Sequence, residues 1–503
     1  MSRLASWLFR DPIPVKPFID GQFVETNGKD PLCLRSAVDD ASLTDDIRCA
    51  NAEDVDVAVK SAEKGLELWQ ALSLRDRQAL LERFAGLIEE NADHLGYLET
   101  IVTGKPISFS GHHEPRKAAA HIRCQAHWCT DYAGFVDKFS GEIVPSDDGL
   151  LQLVTHQPYG ICAGINPFNS PMICFAMKAG PALATGSVII TKASEYNPLS
   201  TLYLGELATA AGIPAGVVNI LVGEAECGEA LSRHMKIREI SFTGSITVGK
   251  KIQIAATQSN LKRVTLELGG KPPVLVFADR DLELAVQESS SFTKLNGQGC
   301  ILGTRIYVHD SISDAHAATL QSDPLLPGTF SSPIFHHRRR DIVMDLLASG
   351  KEEATLLTGG STVGSRGCYV RPTIYFRPTS SARVLREEIF GPVCVVDTFA
   401  TEKEALQKAN DTSFGLGAVV FTRDLGATVQ VSSRLEAGTV TVNNTNYTDP
   451  GYPFGGWKDS GIGRENGRYV LEEYTQLKFI IVKYYPEVHD RSGRNMISFV
   501  SLD

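Results

Sequence analysis

The chain has 503 residues and a formal charge of −10, with 43% hydrophobic and 21% charged residues. That acidic balance argues against nucleic acid or an anionic membrane as a partner. A chain of this length outgrows one hydrophobic core, so a large globular protein of two or three lobes is expected. No apolar run approaches the roughly 18 residues that a membrane span requires. The ten cysteines show no CxxC pair and no regular spacing, a pattern of reduced, buried thiols that predicts neither disulfides nor a zinc site.

Along the chain, Met1 to Arg10 is too short in its apolar part for a secretory signal, and the cytoplasm is the expected compartment. Residues 53–92 read as helical, because Leu80, Phe84, Leu87 and Ile88 recur on one face and Ser73 is suited to cap a second helix. The span 138–157, with Ser146-Asp147-Asp148-Gly149 at its centre, reads as a hairpin arm. From Gly160 short β-branched runs alternate with amphipathic segments: 161–166, 188–192, 199–211, 217–222, 237–242 and 247–257. This is the rhythm of βαβ units in a parallel sheet, and it predicts a nucleotide-binding lobe. A second set, 273–278, 306–308, 393–399, 418–422 and 439–443, predicts another α/β lobe. A late strand is expected at 477–483, able to pair with an arm across subunits.

The reactive candidates lie between the two sets. Cys300 follows Gly297-Gln298-Gly299, small residues that leave room for a substrate and let the Cys300 amide face an incoming oxygen. Glu267 ends a strand-like run ahead of Gly269-Gly270. A thiolate that adds to a carbonyl and a carboxylate that activates water are the groups needed to oxidise an aldehyde through a thioester. Asn169, just past the strand from Ile161, could donate to an oxyanion, though alone it reads as an ordinary turn asparagine. The run Gly244-Ser245-Ile246-Thr247-Val248-Gly249 opens a helix after the strand ending at Phe242 and would aim backbone N–H groups at a diphosphate. His112-His113 and His336-His337 lack the i, i+4 spacing of helical metal ligands and read as solvated, so no metal is expected. Arg338 to Arg340 reads as a charged helix face.

Eight blocks in order then resemble the NAD(P)-dependent aldehyde dehydrogenase superfamily, among them Asn166-Pro167-Phe168-Asn169, Glu267-Leu268-Gly269-Gly270-Lys271, Gly297-Gln298-Gly299-Cys300, Glu387 to Pro392, and Pro453 to Lys458 with Ser460 to Glu465. The resemblance implies an α/β fold: a Rossmann-like cofactor-binding domain over 1–137 and 158–266, a catalytic α/β domain over 267–473, and a β-hairpin oligomerisation arm with a C-terminal strand and tail over 138–157 and 474–503. It implies Cys300 as nucleophile, Asn169 as oxyanion donor, Glu267 as activator of water and Lys178 as helper in a proton relay. A relay glutamate is expected where this chain has Gln476, which leaves that part in doubt. For the cofactor it implies Lys192 and Glu195 at the adenosine ribose, Gly223, Phe242, Gly244, Ser245 and Gly249 around the diphosphate turn, and Glu388 with Phe390 at the nicotinamide ribose. A carboxylate at Glu195 repels a 2′-phosphate and favours NAD over NADP.

The expected reaction is NAD-dependent oxidation of an aromatic or medium- to long-chain aliphatic aldehyde to its acid, in a homodimer or homotetramer. The aldehyde tunnel would be lined by Ser170, Cys174, Met177, Gly299, Ile301, Tyr447 and Tyr452. A CoA-acylating enzyme and a catalytically impaired dinucleotide binder are the alternatives. Two segments, 289–292 and 314–324, are shorter than the family pattern, and the first is expected to need local repacking to aim Cys300.

Overall fold

The computed structural model describes residues 13–28, 31–127, 141–145, 150–314, 332–445 and 449–483, with the short pairs 488–489 and 495–496. Two helices open the ordered core, α1 (Ala52–Ala71) and α2 (Leu74–Glu90). Asn51 and Asp54 bond each other's backbone N–H groups in a capping box, and Ser73 accepts from the Asp76 amide as the sequence predicts. The apolar face of α1, with the fully buried Trp69, presses onto the first sheet, whereas α2 packs on neighbouring helices, its buried Phe84 edge-on to Phe175 of the helix Pro171–Thr185.

That sheet has five parallel strands, β1 (Ile161–Ile165), β2 (Val188–Ser194), β3 (Val218–Gly223), β4 (Glu239–Thr243) and β5 (Arg263–Glu267), in the spatial order β5-β4-β1-β2-β3. β1, β2 and β3 are buried along their whole length, as a parallel sheet covered on both faces requires. After β1 the chain runs outward through β2 and β3 and then returns to lay β4 on the opposite side of β1. The reversal opens a crevice at the carboxyl ends of β1 and β4, the position where open α/β sheets bind ligands.

Beyond β5 the chain passes through residues 267–271 into a second sheet. Its parallel strands are β6 (Pro273–Val276), β7 (Arg305–His309), β8 (Thr373–Phe376), β9 (Val393–Phe399), β10 (Gly417–Phe421) and β11 (Thr439–Val442), in the order β8-β9-β7-β6-β10-β11, with Thr355–Thr358 antiparallel on the β8 edge. A late return, Gly461–Ile462, pairs antiparallel with the end of β5, joining Leu266 to Ile462 and Glu267 to Gly461.

A third sheet of three strands joins Glu142–Val144, Leu150–Pro158 and Thr475–Lys483. The late strand therefore pairs with the arm inside one chain over nine residue pairs, where the sequence reading had them meeting between subunits. The hairpin centre at 146–149 lies outside the described residues.

Candidate active site

The segment before Cys300 does not continue as an α-helix. After Leu282–Ser289 the chain tightens into a 3-10 stretch over Ser290–Gly297, in which Leu295, Asn296 and Gly297 all adopt positive φ. Gly297 is obligatory here, because a Cβ would lie 1.8 Å from the Gly391 carbonyl oxygen.

Cys300 emerges half-buried, against a small apolar cluster of Met177, Leu416 and Phe454 with Ile173 and Ile301. The residue keeps some exposure, but its sulfur is sunk among these side chains. Burial, followed by the nearby carboxylates of Glu388 and Glu267, pushes the thiol far above its ordinary range. At rest it is a protonated thiol that needs a base or an arriving positive charge to ionise.

Asn169 sits beside this loop, its side-chain amide donating to the Gln298 carbonyl at 2.9 Å. An amide nitrogen carries two hydrogens, so the second remains for a substrate oxygen. The Asn169 backbone is fixed from behind: its carbonyl accepts from the buried Lys105 ammonium at 2.9 Å, which also pairs with Glu99 and Glu114 at 2.7 and 2.9 Å.

Glu267 closes β5 with its carboxyl buried, and neither oxygen has a hydrogen-bond partner among the described residues. Burial and then the Glu465 charge raise its pKa well above the usual carboxylate range, against the pull of Lys178 and Arg464. Lys178, on helix α3 (Pro171–Thr185), is fully buried and donates to Thr243 Oγ1 and Glu465 Oε1, both at 2.7 Å. Glu465 also accepts from Ser241 at 3.2 Å. Lys178, Glu465 and Glu267 thus form one buried cluster of a cation and two carboxyl groups. An unpartnered carboxyl held this far from water is suited to take a proton from a single bound water molecule.

At the crevice, Ser245 caps helix α4 (Ile246–Ser259), accepting from the Val248 amide. The Gly244 amide donates to the Glu267 backbone carbonyl at 3.0 Å, tying this turn to the end of β5. A Cβ at Gly244 would strike the Phe242 ring at 2.4 Å, one at Gly249 the Leu268 side chain at 2.6 Å, and one at Gly223 the Cys227 side chain at 2.8 Å. These glycines let the helices sit close on the strand ends and bring the α4 N-terminus forward to the crevice. Lys192 and Glu195, at the end of β2, face each other at 3.3 Å. On the far wall, Glu388 is half-buried and accepts from the Gly270 amide at 2.9 Å, and Phe390 makes an edge contact with Phe168. Free amides at a capped helix end, a lysine, and a carboxylate beside the switch point together match the needs of a dinucleotide: its diphosphate, and the hydroxyls of its ribose.

Comparison with known proteins agrees with this geometry. The aldehyde dehydrogenase family model matches residues 24–480. The chain belongs to the aldehyde dehydrogenase family. It is 38% identical to an aldehyde dehydrogenase of Aspergillus niger over 480 residues, 93% of this chain and 95% of the relative. It is 41% identical to aldehyde dehydrogenase 1A1 of Gallus gallus, covering 86% of each chain. Among solved structures it superposes with a TM-score of 0.91 and 35% identity on the indole-3-acetaldehyde dehydrogenase AldA of P. syringae, determined with NAD+ and IAA, covering 96% and 99% of the two chains. As an aldehyde dehydrogenase, the chain is an enzyme that oxidises aldehydes to acids.

In this aldehyde dehydrogenase Asn169 lies against the loop that leads to Cys300, and the Glu267 charge reaches both Cys300 and Lys178. Lys192, Glu195, Gly223, Phe242, Gly244, Ser245 and Gly249 lie at or just past the ends of β2, β3 and β4 and on the first turn of α4, and Glu388 and Phe390 lie on the segment that bonds Gly270. Three readings change. Gln476 is exposed and pairs with Gln157 in the third sheet, remote from Lys178; the carboxylate beside Lys178 is Glu465. Helix α5 (His337–Glu353) opens directly behind His336, and its first turn is not a solvated face: Arg339 lies over the Phe390 ring and donates to the Ile389 carbonyl. His336 accepts from the Arg338 amide and packs against Tyr196, while His337 pairs with Asp40. Of the proposed tunnel residues, Met177 and Ile301 join the cluster at Cys300, whereas Tyr452 is 72% exposed. Tyr447 and residues 315–331 lie outside the described residues.

Proposed function

We propose that the enzyme oxidises aromatic or medium- to long-chain aliphatic aldehydes to carboxylic acids with NAD+, through a cysteine-bound thioester that water hydrolyses. The observation that carries this reading is the Cys300 thiol set in an apolar cluster, with the buried Glu267 carboxyl close enough for its charge to act on that thiol. The Cys300 thiol gives its proton to the Glu267 carboxylate as its sulfur adds to the carbonyl carbon, and the resulting oxyanion accepts hydrogen bonds from Asn169 and the Cys300 amide; Glu267 releases that proton before it acts on water. When bound, NAD+ supplies the acceptor for the hydride that leaves that carbon. Glu267 then takes a proton from water, whose oxygen attacks the thioester and releases the acid and the Cys300 thiolate. The Lys178–Glu465 pair holds charge beside Glu267, and that proton passes on toward it.

NAD+ is assigned to Lys192 and Glu195 at its adenosine ribose, to the Gly223, Phe242, Gly244, Ser245 and Gly249 surroundings at its diphosphate, and to Glu388 and Phe390 at its nicotinamide ribose. The relative solved with NAD+ supports the cofactor, and the apolar side chains around Cys300 support the substrate class. In this reading residues 1–137 and 158–266 form the cofactor lobe and 267–473 the catalytic lobe. The third sheet exposes Ile143, Leu151, Leu477, Phe479 and Ile481, an apolar surface that fits a second copy in a dimer or tetramer. The free thiols suit a reducing compartment, the cytoplasm first.

Cys300→Ala is expected to abolish aldehyde oxidation, whereas Glu267→Gln should release one equivalent of NADH in a burst and then stall. Undiminished steady turnover by Glu267→Gln would reject the hydrolytic role.

A further inference from the structure

Asp40, His337 and Cys368 come from three separate parts of the chain and converge at the start of α5. Asp40 lies in the turn between Leu32–Arg35 and Ser42–Ile47, His337 is the first residue of α5, and Cys368 sits in the loop before β8. One carboxylate oxygen, one imidazole nitrogen and the thiol sulfur all lie within 4.8 Å of one another. We propose that these three side chains bind a single zinc-type divalent ion, with a water molecule completing a tetrahedron.

The ligand set suits such an ion. In a tetrahedral zinc site, bonds of about 2.0 Å to nitrogen and oxygen and about 2.3 Å to sulfur hold neighbouring ligand atoms roughly 3.3–3.5 Å apart. The three atoms reach that spacing with small side-chain movements, as the hydrogen bond between Asp40 and His337 gives way to two bonds to the ion. A carboxylate and a thiolate together neutralise a dication. The nearest cation, Arg340, is held by Asp341 at 2.9 Å.

The surroundings already hold the ligands in place, which is what an outer shell does in metal sites. The second oxygen of Asp40 accepts from the Gly367 amide at 3.0 Å. The Cys368 amide donates to the Ala37 carbonyl at 3.0 Å, and its carbonyl accepts from the Ile334 amide at 2.8 Å. Cys368 is 1% exposed, so its thiol faces inward, while His337 and Asp40 leave the ion an entry path from solvent. Burial raises the Cys368 thiol to about 11, so metal uptake at neutral pH must release its proton. An ion here would pin the N-terminal hairpin to the start of α5.

The test uses the purified full chain, stripped with a chelator and titrated with zinc chloride and, separately, cobalt chloride. The wild type should retain one equivalent of zinc more than Asp40→Asn, His337→Ala or Cys368→Ser. Zinc should raise its unfolding temperature, and cobalt should give a thiolate charge-transfer band that disappears in Cys368→Ser but survives in Cys300→Ala. Loss of one ligand should weaken binding by more than the roughly 10- to 100-fold that loss of an outer-shell partner costs. Zinc retention by the wild type no greater than by Cys368→Ser would overturn the site, as would a cobalt spectrum indifferent to Cys368. The cobalt band is read on the wild type, so the result stands even if one variant folds poorly.

Discussion

Replacing Glu465 by glutamine tests the buried cluster most directly. Lys178 is fully buried and Glu465 2% exposed, joined at 2.7 Å, so the substitution leaves an ammonium without its counter-charge in a water-poor interior. Breaking a pair of this kind costs about 3–5 kcal/mol. With an unfolding entropy near 2.1 cal/mol/K per residue, a chain of 503 residues unfolding as one unit loses about 1 °C of Tm per kcal/mol, so a drop of about 3–5 °C is expected. The chemistry should move as well. The Glu465 charge raises the Glu267 pKa and Lys178 lowers it; without that charge, and with Lys178 unopposed, Glu267 ionises at lower pH. The acidic limb of the pH profile of thioester hydrolysis, read from steady-state turnover, should therefore shift to lower pH. An unchanged Tm together with an unmoved acidic limb would refute the reasoning.

Other outcomes follow from the same interior. Glu239 is fully buried at the start of β4, both its carboxyl oxygens lack partners among the described residues, and burial lifts its pKa well above the usual range. The native state then keeps a proton that the unfolded chain loses above about pH 4.3, so stability falls as pH rises through that window. Glu239→Leu should raise the Tm, and by more at neutral pH than at pH 4; thermal scans across that range check the sign. Asn169→Ala removes the side-chain oxyanion donor and should lower kcat by about 10²- to 10³-fold with little change in Tm. Stopped-flow measurement of NADH formation tests it, since an unaltered burst rate would mean that the amide only braces Gln298.

The alternating strands and helices of both sheets were legible because parallel strands buried on two faces are continuous apolar runs, as in Ile161–Ile165 and Val218–Gly223. Cys300, Glu267 and Asn169 could be named because each sits in a loop directly next to such a strand or in a glycine-rich block. Glu465 was missed as a functional residue. It closes the Ser460–Glu465 block, which reads only as a mark of the family; its role arises where α3, β4 and this late segment meet. Gln476 misled because it lies in the same late stretch, yet it stands on a strand that is exposed along almost its whole length. The left-handed run at Leu295 and Asn296 was only half-hidden: asparagine adopts positive φ more readily than most residues, but nothing announces it at Leu295.

The chain leaves the first sheet at Glu267 and comes back beside it at Gly461, so both crossings between the two sheets meet at one residue. Points on an axis of rotation do not travel. If the two halves rock to admit a cofactor or discharge a product, this carboxylate stays still at the pivot while the walls of the crevice swing around it. Opening and closing then need not disturb the aim of the group that handles water.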